Sequence, residues 1–132
     1  EQVGGAEAML TIARDYAVTR KAFGQLIGAF QSIKHRIAEM YGLVEIARAN
    51  CIHANASEGR DKFLIAAADA RISATSGYDT CSRDCIQIHG GIGVTWETGL
   101  HLHMRRARSL ADSASSLGKR GSHAATVNRK RR

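Results

Sequence analysis

The chain contains no proline, and only 5% of its residues are aromatic. Proline is the strongest helix breaker and a frequent element of irregular loops, so its absence across 132 residues points to a helical protein. No apolar run approaches the roughly 20 residues that a membrane-crossing helix needs; the stretch from Phe63 to Ala68 is among the longest. The start, Glu1-Gln2-Val3-Gly4-Gly5, has neither the basic opening nor the apolar core of a secretory signal, and it lacks an initiating methionine. It reads as the first turns of a helix in a trimmed chain. Three cysteines, Cys51, Cys81 and Cys85, cannot all pair within one molecule. An odd count without disulfide spacing fits a reducing, cytoplasmic setting. Acidic residues are also scarce beside the basic ones, 12 against 19, for a net charge of +7.

That charge raises the question of nucleic acid. Arg105, Arg106, Arg108, Lys119 and Arg120 carry part of it, and Arg129-Lys130-Arg131-Arg132 close the chain. No aromatic residues interleave with these cations as base-stacking surfaces require, so a nucleic-acid partner is not expected, and the short apolar runs give no expectation of a membrane partner.

What is present is helical periodicity. A first helix is expected from Val3 to Lys21, with Met9, Ile12, Ala13, Tyr16 and Ala17 on one face and Gly24 as its stop. A short apolar loop, Phe23 to Phe30, follows. Ile33, Ile37, Met40, Val44, Ala47 and Cys51 then recur at steps of four and three, the stripe of a second helix ending near Gly59. A third helix is expected from Asp61 to Ile88 with Phe63, Ala67, Ala70, Ala74, Gly77, Cys81, Cys85 and Ile88 on one side. Those side chains are mostly small, so this helix should approach its neighbours closely and lie centrally. Gly90-Gly91-Ile92-Gly93 breaks the chain, and a fourth helix is expected from Glu97 to Leu110. The fold class is all-α, an antiparallel up-and-down four-helix bundle over residues 1–110. Residues 111–132, basic and rich in serine and alanine, are expected to be a weakly ordered tail. A bundle by itself specifies no chemistry.

Two segments depart from the helical background. Arg20-Lys21-Ala22-Phe23-Gly24-Gln25, with Phe30-Gln31 following, offers a forked cation and a ring face. Gln87-Ile88-His89-Gly90-Gly91-Ile92-Gly93 offers backbone amides that a ligand can approach. On residue chemistry alone these glycines also serve simply as helix stops.

Both segments resemble acyl-CoA dehydrogenase motifs. Arg20-Lys21-Ala22-Phe23-Gly24-Gln25-Leu26-Ile27 with Phe30-Gln31 is similar to the segment after the first C-terminal helix of that family. The run from Cys85 through Trp96-Glu97 to Leu100-His101-Leu102-His103-Met104-Arg105-Arg106-Ala107 resembles its later signature. The resemblance covers Val3 to Ser109 and implies the C-terminal bundle of an FAD-dependent oxidoreductase that converts an acyl-CoA thioester to the enoyl-CoA, as in fatty-acid β-oxidation. It implies Arg20 on the FAD pyrophosphate, Phe23 packed on the cofactor, Gln31 nearby, and Gln87, Ile88, Gly90 and Gly91 at the adenine end. It also implies assembly through the bundle into a homo- or hetero-oligomer, a dimer or tetramer in which neighbouring subunits share flavin sites, and an electron-transfer acceptor.

The family's catalytic glutamate is the point of departure. Ala114 stands at its usual place, Asp112 is two residues off register and a methylene shorter, and no glutamate follows Glu97. In some members the base lies on the first C-terminal helix, about 26 residues before the arginine matched by Arg20, which is upstream of Glu1. Either the base lies there, or the subunit is a non-catalytic partner that completes a neighbour's flavin site. On both readings this stretch is inactive alone.

Other signals are weaker. Cys81, Cys85 and His89 share a helix face, yet buried thiols explain them better than a metal site. His101 and His103 point to different sides and read as surface or interface residues. Glu97 suits a helix start or an ion pair with Arg105 or Arg106. Ser113, Ser115 and Ser116 have no companion histidine in a recognisable motif.

Overall fold

Three cross-helix registers define the architecture, described by a computed structural model over residues 1–113. The helices are α1 (Gln2–Ala17), α2 (Gln31–Ala56), α3 (Phe63–His89) and α4 over 100–113. Arg36 meets Asp84, and Asn50 Nδ2 donates to Ser73 Oγ, so α2 and α3 run in opposite directions. Tyr78 meets His103 while Arg71 Nη2 donates to the Leu110 carbonyl, so α4 runs back along α3. Gln2 meets Thr75 and Tyr16 meets His89, which makes α1 parallel to α3. The order is up, down, up, down.

The core follows from the stripes. Met9, Met40, Val44, Cys81, Cys85 and Leu100 are essentially inaccessible. Full burial of one such side chain contributes about 1.5–3 kcal/mol. Gly77 is buried beside the backbone of Leu43, 3.5 Å from where a Cβ would stand, the close approach that the small residues of α3 imply. Gly5 is tighter: a Cβ there would lie 2.5 Å from the Tyr78 ring. Some stripe positions fall short of the core: Ile12 and Cys51 are exposed, and Phe63 and Ala67 only partly buried.

The element ends differ from the periodic reading. α1 stops at Ala17 rather than Lys21. The Thr19 hydroxyl donates to the Asp15 and Tyr16 carbonyls, and the Arg20 amide to that of Tyr16, which closes the helix. The expected loop after it is instead a two-stranded hairpin, β1 (Lys21–Ala22) paired antiparallel with β2 (Gln25–Leu26), followed by a 3-10 turn over Ile27–Ala29. α3 begins at Phe63, and α4 begins at residue 100 rather than Glu97. Trp96–Thr98 form a separate 3-10 turn ended by Gly99 at φ 65°, so Glu97 does not open the fourth helix. Among the described residues no helix is long and apolar enough to cross a membrane. Ala114, Ser115, Ser116 and most of the expected tail lie outside the described residues.

Candidate functional site at the hairpin end of the bundle

The two motifs that stand far apart in sequence share one end of the bundle. α1 delivers the hairpin at its C-terminus and α3, parallel to it, delivers the glycine turn at its own. The junction is a pair of rings: Tyr16 and His89 stack with centroids 4.0 Å apart and planes 19° from parallel. His89 Nδ1 lies 2.8 Å from the Cys85 carbonyl. A carbonyl only accepts, so Nδ1 carries the proton and donates it.

Arg20 is exposed where α1 passes into the hairpin, and its carbonyl accepts from the Ile27 amide at 2.9 Å. Among the described residues no carboxylate forms an ion pair with it. Phe23 sits at the hairpin tip with φ 52°, a left-handed conformation that costs a non-glycine residue about 1 kcal/mol or more. The residue is 94% exposed, and its ring stands edge-on to that of Phe30 with centroids 6.3 Å apart. Gly24, at φ 80°, completes the tip, where glycine relieves the neighbouring strain. Gln31 is the exposed first residue of α2.

On the other strand of the junction, Gln87 is exposed and Ile88 is buried at the last turn of α3. Ile88 and Phe23 line one cleft of about 330 Å³ together with Ala22, Ile27, Phe30 and Ile33. Gly90 has φ 64°, and a Cβ at either Gly90 or Gly91 would meet nothing within 4 Å. The turn is therefore open on its outer side. Gly93 is the opposite, with the Ile86 carbonyl 2.6 Å from a would-be Cβ. Beyond it Val94 and Trp96 are largely exposed. A larger cleft, about 530 Å³, lies between α1 and α2 and is lined by none of the seven motif residues. The smaller cleft is the one that Phe23 and Ile88 both line.

The remaining titratable groups have structural partners. Burial pushes the Cys81 and Cys85 thiols up to about 12, so both remain protonated, and Cys85 Sγ rests 3.8 Å from His89 Nδ1. Such protonated, buried thiols are poor metal ligands. His103 Nδ1 is 3.0 Å from the Tyr78 hydroxyl, and His101 packs edge-on to Trp96 at 4.2 Å, so both histidines are half-buried inside the fold. The Thr95 hydroxyl beside Glu97 lowers that carboxyl below its ordinary value, with its own backbone amide assisting. Arg106 pairs with Glu1 rather than with Glu97. Two features escaped the sequence reading: the hairpin itself and the Tyr16–His89 stack. Tyr16 was visible only as one more apolar-face residue, and no local pattern announces a contact across 73 positions.

Comparison with known proteins agrees with this architecture. The family model described as acyl-CoA dehydrogenase, C-terminal domain matches residues 1–112. Acyl-CoA dehydrogenase IpdE2 of Mycobacterium tuberculosis is 40% identical over 116 residues, covering 88% of this chain and 35% of that protein. Butyryl-CoA dehydrogenase from Megasphaera elsdenii superposes with a TM-score of 0.79 at 33% identity, over 83% of this chain and 29% of the other. PigA, solved as an FAD complex, superposes at 0.71 with 32% identity, over 80% and 28% respectively. By fold the chain is a helical-bundle domain of the kind that forms part of solved acyl-CoA dehydrogenases. It belongs to the acyl-CoA dehydrogenase family and corresponds to the C-terminal domain. It spans about a third of the length of the relatives described.

Proposed function

We propose that this chain completes an FAD site and mediates subunit assembly in an acyl-CoA dehydrogenase acting on an acyl-CoA thioester. What carries the reading is the shared location of the hairpin and the glycine turn, linked through Tyr16 and His89. The residues present suit a dinucleotide. Arg20 is exposed without a described carboxylate partner, so its fork is available for a pyrophosphate. Phe23 holds an almost fully exposed ring in a strained backbone, the kind of outlier that a ligand contact explains. The open side of Gly90 and Gly91 leaves backbone amides approachable, with Gln87 beside them and Gln31 near the hairpin.

FAD held there would supply the hydride acceptor for the family's α,β-dehydrogenation, with a carboxylate needed as proton acceptor. In this chain Arg20 would offset the phosphate charge, Phe23 and Ile88 would keep water from one face, and the glycine turn would orient the adenine end. A proton acceptor is not evident: no glutamate follows Glu97, and Ala114 stands at the family's usual position. That observation is met by two readings: the base lies upstream of residue 1, as in some family members, or the complete subunit is a non-catalytic partner in a heteromeric assembly.

The decisive measurement is flavin content of the full-length protein in its native assembly. Arg20→Ala should weaken FAD binding by about tenfold to a hundredfold, the effect of losing one charge-assisted hydrogen-bond fork. FAD affinity equal to wild type in that variant would overturn the site assignment. Turnover of acyl-CoA with an electron acceptor then separates the two readings: a lone homo-oligomer that turns over carries its own base, and one that needs a second polypeptide does not.

A further inference from the structure

We infer that Tyr16 and His89 form a positioning pair that fixes the distance between Arg20 and the glycine turn; this rests on the FAD reading above. The chain of contacts is continuous. The Arg20 amide donates to the Tyr16 carbonyl at 2.8 Å, and the Thr19 amide and hydroxyl donate to the same oxygen at 3.2 Å. The Tyr16 ring lies flat on the His89 ring at 4.0 Å. His89 in turn donates from Nδ1 to the Cys85 carbonyl at 2.8 Å, one turn back on α3, and is followed directly by Gly90. One residue thus holds the backbone of the arginine, the other precedes the turn, and the rings join them.

The surroundings explain why this junction sets the geometry. The hairpin is only two residues per strand, and such a ribbon has little stability of its own. Its tip is exposed, so its placement depends on how its base is anchored. The Tyr16–His89 stack is the ring contact that ties that base to α3. The rings are half-buried and their planes nearly parallel, so the imidazole is gripped on one face by tyrosine and at its edge by the Cys85 carbonyl. Neither ring needs to touch the cofactor to act. Their role is to keep a guanidinium and a set of backbone amides, drawn from segments about 70 positions apart, at one spacing.

A double-mutant cycle in the full-length protein and its native assembly tests this, with FAD affinity measured by titration of the apoprotein and melting temperature measured on the same samples. Tyr16→Ala and His89→Ala should each weaken FAD about tenfold. Tyr16→Phe, which retains the ring, should stay within about twofold of wild type. Combined with Arg20→Ala, His89→Ala should add little further loss, because residues that act through one another are non-additive. Tyr16→Leu, which keeps apolar bulk without a flat ring, carries the test if the alanine variants do not fold, and should lose affinity like them. A lower melting temperature with unchanged FAD affinity would make the pair merely structural and overturn the inference. So would full additivity with Arg20→Ala, or a loss in Tyr16→Phe equal to that in Tyr16→Ala. If Arg20→Ala itself leaves FAD binding intact, it is the FAD reading that fails, a separate result.

Discussion

Gly91 and Gly93 stand two positions apart in one turn, yet they should respond to the same substitution in opposite ways. A methyl group at Gly93 would sit 2.6 Å from the Ile86 carbonyl and 2.9 Å from the His89 side chain, so backbone has to move. Gly93→Ala should destabilise the protein by about 1–3 kcal/mol, read as a lower melting temperature. A methyl group at Gly91 meets nothing, and the residue is not among those with positive φ. Gly91→Ala should melt within a degree or two of wild type while reducing FAD retention, if the open side of the turn faces the dinucleotide. Equal melting losses in both would contradict the assignment of one glycine to packing and the other to the ligand. The cysteines divide in the same manner. Cys81 and Cys85 are buried with thiols raised to about 12, and Cys51 is exposed. Since the thiolate is the nucleophile, alkylation at pH 8 followed by peptide mapping should label Cys51 first and leave the other two until denaturant is added. A thiol held protonated in the fold contributes fully below its unfolded value near 8.5 and loses that contribution as pH rises towards 12.

At the scale of elements, the hairpin is where function and stability pull apart. Phe23 holds a positive φ with its ring in the open, so it gives the isolated fold little in return for its strain. Phe23→Gly relaxes that conformation and should leave the melting temperature level or slightly higher, while FAD affinity falls about tenfold. A drop of several degrees without any change in flavin binding would assign Phe23 to packing with Phe30 instead. The hairpin was also the element least legible in the sequence. Long stripes such as Ile33-Ile37-Met40-Val44 announce their helix because burial repeats every turn, and Met40 and Val44 are indeed in the core. Four paired residues cannot show a period. Their pairing is set by the Phe23-Gly24 tip and by the Ile27 amide reaching the Arg20 carbonyl, contacts that only the folded backbone reveals. The start of α4 was misread for a related reason: Glu97 suits a helix N-terminus, but Gly99 in the left-handed region stops that turn before the helix begins at residue 100. The motif residues themselves were legible as a pattern, and their gathering at one end follows from the up-and-down order, which makes α1 parallel to α3; the contact that joins them, Tyr16 on His89, shows only in the fold.

For the whole molecule, the four-helix class was readable and the surface was not. Leu64, Ile65 and Ile72 on α3, with Ile46 and Ile52 on α2, are each more than half exposed. Ile65 and Ile72 stand seven positions apart on α3, so they share a face of that helix. If the bundle mediates subunit assembly, these side chains are the ones a neighbouring bundle covers. Burial of such residues, rather than charge pairing, would then hold the oligomer, because solvent-exposed ion pairs contribute little. Ile65→Glu combined with Ile72→Glu should therefore lower the mass of the full-length assembly in analytical ultracentrifugation, and raising the salt concentration should not. Far-ultraviolet circular dichroism should be unchanged, since both positions are already exposed within the single chain. FAD should leave with the neighbour if the site is shared between subunits, so flavin release and dissociation should occur over the same range of protein concentration. An assembly of undiminished mass in the double variant would place the subunit contact on another face, and flavin retained by separated subunits would place the whole cofactor site within one.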